Sequence, residues 1–182
     1  MRHLSIAAVQ MESANNRVAE NLIRAAQWVE GAARGKAELV VLPELFSTGY
    51  DVNANMWRCA EAHGGPTESW LCARGQSHGM YVGGSYLERR DGHYFNTFAL
   101  AGPSGAIIGR VRKAHPCSFE AYIFEGGDDS HIIDTPIGRI GIAICYDAFF
   151  RSVWDSILAG GADLVLIPMS APTPSETLFY GR

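Results

Sequence analysis

Two segments of this chain resemble one another: Gly35-Lys36-Ala37-Glu38-Leu39-Val40-Val41-Leu42-Pro43 and Gly160-Gly161-Ala162-Asp163-Leu164-Val165-Leu166-Ile167-Pro168. Each follows a predicted helix, opens on a glycine turn and runs into a Leu/Val/Ile strand stopped by proline. A strand that is apolar throughout, with no polar alternation, has to be buried on both faces. Two such strands, each fed by its own helix, point to two similar layers packed face to face. The expected class is α/β, with a sheet-on-sheet core covered outside by helices.

The remaining segments fit that plan. Residues 4–10 read as a first strand, and Asn15 or Asn16 as the cap of a helix running to about Arg34, with Val18, Leu22, Ala25, Ala26 and Val29 on one face. The strand 39–42 ends in Pro43-Glu44 and a polar loop through Tyr50 and Asp51. A second helix over 67–77 precedes strands over 80–86, 95–101 and 106–111. The separators Arg90-Asp91-Gly92 and Gly102-Pro103-Ser104-Gly105 suit hairpins, so this part is read as antiparallel. Residues 112–129 show no sustained period and read as a long loop, a length that is uncommon unless functional. Strands over 131–134, 139–144 and 164–167 follow, with a helix over 149–158.

Composition excludes several classes. Hydrophobic residues at 47% and charged residues at 19% are ordinary for a globular domain, so disordered and fibrous chains drop out. With a net charge of −4 and no basic block, nucleic acid is not expected as a partner. The apolar start, residues 4–11, is too short for a signal peptide and is interrupted by Glu12, and no run approaches membrane-spanning length; the chain is read as cytoplasmic, without a membrane partner. Cys59, Cys72, Cys117 and Cys145 show no CxxC spacing and the histidines no HExxH pair, so no disulfide framework, metal or cofactor is expected.

Cys145 stands where Ile140-Gly141-Ile142-Ala143-Ile144 gives way to Tyr146-Asp147, which presents a thiol at the carboxyl end of a buried strand. Ligand sites gather at that end of strands in α/β sheets. A cysteine alone is more often a small buried hydrophobe than a nucleophile; two further positions bear on the choice. Glu44 directly follows the buried strand 39–42, where burial raises a carboxyl pKa toward the range a general acid/base needs. Its alternative is a glutamate turned to water or paired with arginine. Lys113 is one of only two lysines against 13 arginines, and it stands beside Arg110 and Arg112. A site requiring a compact ammonium rather than a guanidinium fork accounts for that choice. Lys36, in the turn Arg34-Gly35-Lys36-Ala37, reads as a solvated surface residue.

Three blocks in order carry a resemblance that covers essentially the whole chain: Leu42-Pro43-Glu44-Leu45-Phe46-Ser47-Thr48-Gly49-Tyr50, then Arg112-Lys113-Ala114-His115, then Gly141-Ile142-Ala143-Ile144-Cys145-Tyr146-Asp147. They resemble the nitrilase superfamily of carbon-nitrogen hydrolases, in its amidase-like branch. The resemblance implies an αββα sandwich of two mixed sheets with outer helices, and a catalytic set at Glu44, Lys113 and Cys145. It also implies a second glutamate ahead of a Phe-x-x-Gly-Asp segment. Glu120, before Phe124-Glu125-Gly126-Gly127-Asp128, is the better match and Glu125 the other candidate. Members of that superfamily continue past the strand 164–168 with further strands, a helix and a tail that takes part in dimer contacts. The resemblance therefore reads residues 1–182 as a single, C-terminally truncated carbon-nitrogen hydrolase domain that forms a homodimer or higher homo-oligomer.

What such a set implies is thiol chemistry. A thiol with a pKa near ~8.5 is only a few per cent thiolate at neutral pH, so Cys145 needs Glu44 to take its proton. Lys113 would supply positive charge to the oxyanion, with the backbone N–H of Tyr146 as a second donor. Glu44 would then protonate the departing ammonia or amine and activate water against the thioester, while Glu120 orients Lys113 or the substrate. The implied partner is a small-molecule amide or carbamoyl compound, with a nitrile as runner-up; Cys145-Tyr146-Asp147 resembles amidase branches, whereas a tryptophan and glutamate follow the cysteine in true nitrilases. A catalytically impaired binding or assembly module is the competing class. No GxSxG or SxxK supports serine chemistry. Lys113-Ala114-His115-Pro116 departs from the usual lysine-x-histidine-leucine run. Cys117 reads as a bystander and His115 as a brace. Tyr50, Trp57, Phe149, Phe150 and Trp154 read as core or pocket wall.

Overall fold

The structure, a computed structural model, describes residues 3–50 and 55–170. Asp51 and the segment 171–182, with Pro172 and Pro174, lie outside the described residues. Eleven regular elements follow one another: β1 (Ile6–Ala8), α1 (Val18–Arg34), β2 (Leu39–Val41), α2 (Pro66–His78), β3 (Tyr81–Arg90), β4 (His93–Ala101), β5 (Ile107–Arg112), β6 (Ile132–Thr135), β7 (Gly138–Ile142), α3 (Arg151–Ala159) and β8 (Leu164–Leu166).

Among the described residues the strands form two mixed sheets. The first runs β1-β2-β3-β4-β5, parallel from β1 to β3 and antiparallel from β3 to β5. The second runs β6-β7-β8, antiparallel and then parallel. Their inner faces meet in one apolar cluster that joins Leu39, Phe98, Leu100 and Val111 to Ile133, Ile140, Ile142 and Leu166. Outside the first sheet, Ala25 and Val29 of α1 and Leu71 of α2 pack on Val40, Val82 and Tyr86. Outside the second, Val153 and Ile157 of α3 pack on Ala143. These are the four layers of an αββα sandwich.

The duplicated segments occupy matching places in the two sheets. Each is the helix-turn-strand of a parallel βαβ step, β1-α1-β2 in one sheet and β7-α3-β8 in the other. Even the turns correspond: the second residue of each, Lys36 and Gly161, is left-handed at φ 60 and 67. Asp91 and Gly92 (φ 52 and 85) make the two-residue turn joining β3 to β4, as an Asp-Gly pair favours.

Three expectations are corrected. The cap of α1 is Arg17 rather than Asn15 or Asn16, and it makes no side-chain capping bond. Asn16 is itself left-handed (φ 60), and its N–H is spent on the carbonyl of Thr48 at 2.7 Å. The ordering polar residue is Asn21, buried on the inward face of α1, which donates to the carbonyls of Ala14 and Ser47 and accepts from the Ala14 N–H. Second, β7 ends at Ile142, two residues earlier than expected. Its track continues, because Ala143 N–H donates to Leu166 O (3.1 Å) and Cys145 N–H to Pro168 O (3.0 Å). Third, the helix expected over 149–158 begins two residues later, at Arg151, because Phe149 closes a 3-10 turn that starts at Cys145.

The expected loop 112–129 holds a single 3-10 turn, Ser118–Tyr122, and is pinned along its length. Asp129 accepts from Arg112 N–H, Gly127 N–H donates to Lys113 O, and Glu125 N–H donates to Tyr94 O. Among the described residues no helix is long and apolar enough to cross a membrane.

Candidate active site

Glu44 enters the interior because Leu42 and Pro43 carry the chain out of β2 and the next residues turn sharply inward. Leu45 is left-handed (φ 49) and its N–H is held by Ser85 Oγ at 2.7 Å. The turn sits tightly on β3: a Cβ added at Gly84 would lie 2.8 Å from the Phe46 ring and 2.9 Å from Leu42. Only a glycine lets the segment bearing Glu44 approach so closely. The Glu44 side chain is thereby buried.

Lys113 follows β5 and extends its pairing, with its N–H donating to Asn96 O at 2.8 Å. Its two arginine neighbours face the other way. Arg110 grips the buried Glu68 through two bonds (2.6 and 2.8 Å), and Arg112 grips the buried Glu88 likewise (2.9 and 2.6 Å). A planar fork suits those carboxylates. Lys113 instead puts Nζ between two separate carboxylates, 2.8 Å from Glu44 Oε1 and 2.8 Å from Glu120 Oε2, with 1% of the residue exposed. A point charge with three donors fits there, and two of the three are used.

Glu120 is buried in the 3-10 turn, where its Oε2 also accepts the Cys117 N–H at 2.6 Å; its Oε1 has no hydrogen-bond partner. Glu125, the other candidate, lies at the surface and pairs with His93 at 2.7 Å. The geometry thus brings Glu120, and not Glu125, to the lysine.

Cys145 closes the constellation at the head of its turn, 5% exposed and in the left-handed region (φ 48), where a non-glycine residue is strained. Its thiol lies beside the Glu44 carboxylate, close enough for the carboxylate to act on its ionisation. Burial, reinforced by the Glu44 charge and opposed by Lys113, pushes the thiol up to about 12. Near neutral pH the group is therefore held as a thiol. Burial likewise raises the Glu44 carboxyl above its ordinary value, against the pull of Lys113. Desolvation works to lower Lys113, but the charges of Glu44, Glu120 and Cys145 outweigh it and leave its pKa raised. The lysine is a fixed cation and the carboxyl is the group tuned toward proton exchange.

Glu44 carries four lone-pair positions. Oε1 accepts from Lys113 Nζ and from Asn96 Nδ2 (2.8 Å), while Oε2 accepts from Ser170 N–H (3.1 Å). The position that remains is on offer to the thiol. Ser170 N–H also faces the Cys145 sulfur. Among the described residues no group of three His, Cys, Asp or Glu side chains is placed to hold a metal ion.

Two contributors carry no assignment from sequence. Asp147, fully buried, accepts the N–H groups of Ile144 (3.1 Å), His115 (2.8 Å) and Ala114 (3.4 Å). One carboxylate therefore ties the loop after Lys113 to the turn bearing Cys145. Asn96, in the middle of β4, is the other. Its signal in the sequence is an amide set between the aromatic residues Tyr94, Phe95 and Phe98 of a largely apolar strand.

The residues read as brace, core or pocket wall take distinct places. His115 stacks on Phe150 at 3.7 Å between ring centres and lies 3.5 Å from Ser152 Oγ, so it props the loop. Trp154 bonds Ala148 O, and Trp57 packs on Tyr94. Tyr50 reaches the site: burial, with the Glu120 carboxylate beside it, raises its phenol pKa.

A buried thiol beside a glutamate, and a lysine held between that glutamate and another, at the carboxyl ends of strands in an αββα sandwich, match the three sequence blocks residue by residue. The family profile described as carbon-nitrogen hydrolase matches residues 5–179, and the chain belongs to that family. It is 30% identical over 174 residues to a 2-oxoglutaramate amidase of Bacillus subtilis, covering 93% of this chain and 66% of the relative. It is also 30% identical over 175 residues to a nitrilase of Pyrococcus abyssi, covering 94% of this chain and 66% of that protein. The chain thus spans about two thirds of the length of these curated relatives. Among solved structures, a CN-hydrolase superfamily protein of Xanthomonas campestris superimposes with a TM-score of 0.86 at 27% identity, over 98% of this chain and 69% of the other.

Proposed function

We propose that this chain hydrolyses a non-peptide C–N bond in a small linear amide or carbamoyl compound through a thioester on Cys145. The observation that carries the reading is the buried, hydrogen-bonded row Glu44–Lys113–Glu120 with the Cys145 thiol set beside Glu44. Glu44 accepts the Sγ proton as sulfur attacks the carbonyl carbon. The third proton of Lys113 Nζ and the N–H of Tyr146, which lies in the first turn after Cys145 and has no intrahelical acceptor, face the oxygen that gains charge. Glu44 returns the proton to nitrogen as the C–N bond breaks, and ammonia or amine departs. Water then gives a proton to Glu44 and attacks the thioester carbon; the acid leaves and the proton returns to sulfur. Glu120 holds Lys113 and balances its charge.

The run Cys145-Tyr146-Asp147, which resembles amidase branches, favours an amide over a nitrile. The Bacillus relative is named an amidase, whereas the Pyrococcus relative, named a nitrilase, keeps nitrile hydrolysis as the second chemistry to test. The reading includes self-association, supported by the exposed Phe149 and Leu158 on the flank of the second sheet and tested by solution molar mass.

The test incubates the chain with short amides, carbamoyl amino acids and nitriles, follows ammonia release, and seeks an acyl adduct on Cys145 by intact mass. Turnover of amides with a transient adduct is expected. Absence of both would overturn the enzyme reading in favour of a binding module. Unchanged turnover in Cys145→Ala would remove the proposed nucleophile.

A further inference from the structure

We propose that Asn96 is a positioning residue for the general base, fixing which oxygen of Glu44 meets the thiol and how readily that carboxyl ionises; this rests on the catalytic reading of Glu44 above. Asn96 touches the site twice. Its Nδ2 donates to Glu44 Oε1 at 2.8 Å, and its backbone carbonyl accepts the Lys113 N–H at 2.8 Å. The same strand position therefore holds the base by its side chain and the cation by its main chain.

The lone-pair arithmetic gives the side chain its effect. Lys113 and Asn96 together saturate Oε1, and Ser170 N–H takes one position on Oε2. With Oε1 closed, proton traffic is confined to Oε2. Without Asn96, Oε1 regains a basic lone pair and the carboxyl loses a rotational anchor. Its charged form also loses a charge-assisted hydrogen bond, which raises its pKa.

Packing alone does not account for an asparagine here. Asn96 is 1% exposed, and its Oδ1 is buried without a donor. A leucine, with the same branching and number of heavy atoms, would occupy the strand position without stranding an acceptor, so the amide is retained for its N–H at the cost of stability.

The experiment measures the rate at which iodoacetamide alkylates Cys145, by intact mass, alongside amide turnover, across a pH series for wild type, Asn96→Leu and Asn96→Asp. The acid limb of both profiles reports ionisation of Glu44. Asn96→Leu is expected to move that limb up by about one pH unit, a tenfold slower reaction on the acid side that recovers toward the alkaline side. Asn96→Asp, which sets a second carboxyl against Glu44, is expected to move it at least as far. Folded variants with an unmoved limb, or a loss equal at every pH, overturn the proposal. Failure of both variants to fold would make Asn96 a structural strut and overturn it too. Glu44→Gln separates the underlying reading: an acid limb that persists there shows that Glu44 is not the titrating base, whatever Asn96 does.

Discussion

Replacing Lys113 with methionine keeps most of the side-chain volume and removes the charge from between Glu44 Oε1 and Glu120 Oε2, each 2.8 Å from Nζ. Both carboxylates are buried, so neither gains water in exchange. Breaking a buried ion pair from one side costs about 3–5 kcal/mol, which for a domain of this size lowers Tm on the order of 10 °C. The variant relieves part of that cost by taking up a proton on one of the two carboxyls. A carboxyl whose folded pKa is raised gives its full stability contribution below the unfolded value, about 4.3, and loses it as pH rises through the folded value. Lys113→Met is therefore expected to lie closest to wild type in mild acid and to fall progressively behind it through neutrality. Loss of an oxyanion donor slows turnover by about 10²- to 10³-fold or more at every pH. Thermal unfolding by circular dichroism at several pH values, paired with ammonia release, reads both effects. A variant as stable as wild type above neutrality would refute the buried-charge argument, and one that still turns over amides at the wild-type rate would refute the oxyanion role.

Glu44→Gln removes the nearest negative charge from Cys145, so the thiol pKa should fall below about 12 while turnover is lost; ultraviolet thiolate absorbance during alkaline titration measures the first and ammonia release the second. Asp147→Ala leaves the N–H groups of Ile144, Ala114 and His115 without their acceptor and is expected to cost about 2–4 kcal/mol in urea unfolding, with Asp147→Asn losing less. Gly84→Ala drives a methyl into Phe46 and Leu42. It should cost about 1–3 kcal/mol and depress turnover beyond the loss of folded protein, because the displaced turn carries Glu44. Equal turnover per folded molecule would show that the Gly84 contact does not set the base.

The layered architecture was legible because its carriers are local. Unbroken apolar strands, glycine turns and the helix periods of α1 and α3 declare themselves within ten to twenty residues, and the duplicated segment exposed the pairing of layers. Glu44, Lys113 and Cys145 stood out because each directly follows a readable strand. Asn96 did not, since its meaning depends on a carboxylate 52 residues away in sequence and on the helix layer and second sheet that cover the two faces of β4. Asp147 was visible as a letter beside the cysteine, yet its three amide partners come from two segments that only the folded chain brings together. The cap of α1 was misread for a related reason: Asn15 and Asn16 look like local caps, but the tertiary bond from Asn16 to Thr48 and the inward turn of Asn21 decide that corner.

The doubled helix-turn-strand has a consequence for when this thiol becomes dangerous to its surroundings. Glu44 and Lys113 issue from the first sheet, Cys145 from the second, and the end of β8 bridges them through Ser170 and the carbonyls of Pro168 and Met169. Either sheet alone would hold only half of the proposed set: a glutamate and lysine with no thiol, or a cysteine with no carboxylate beside it. On the proposed mechanism the thiol would be armed only where both layers have closed over their shared core, which makes the chain its own coincidence detector.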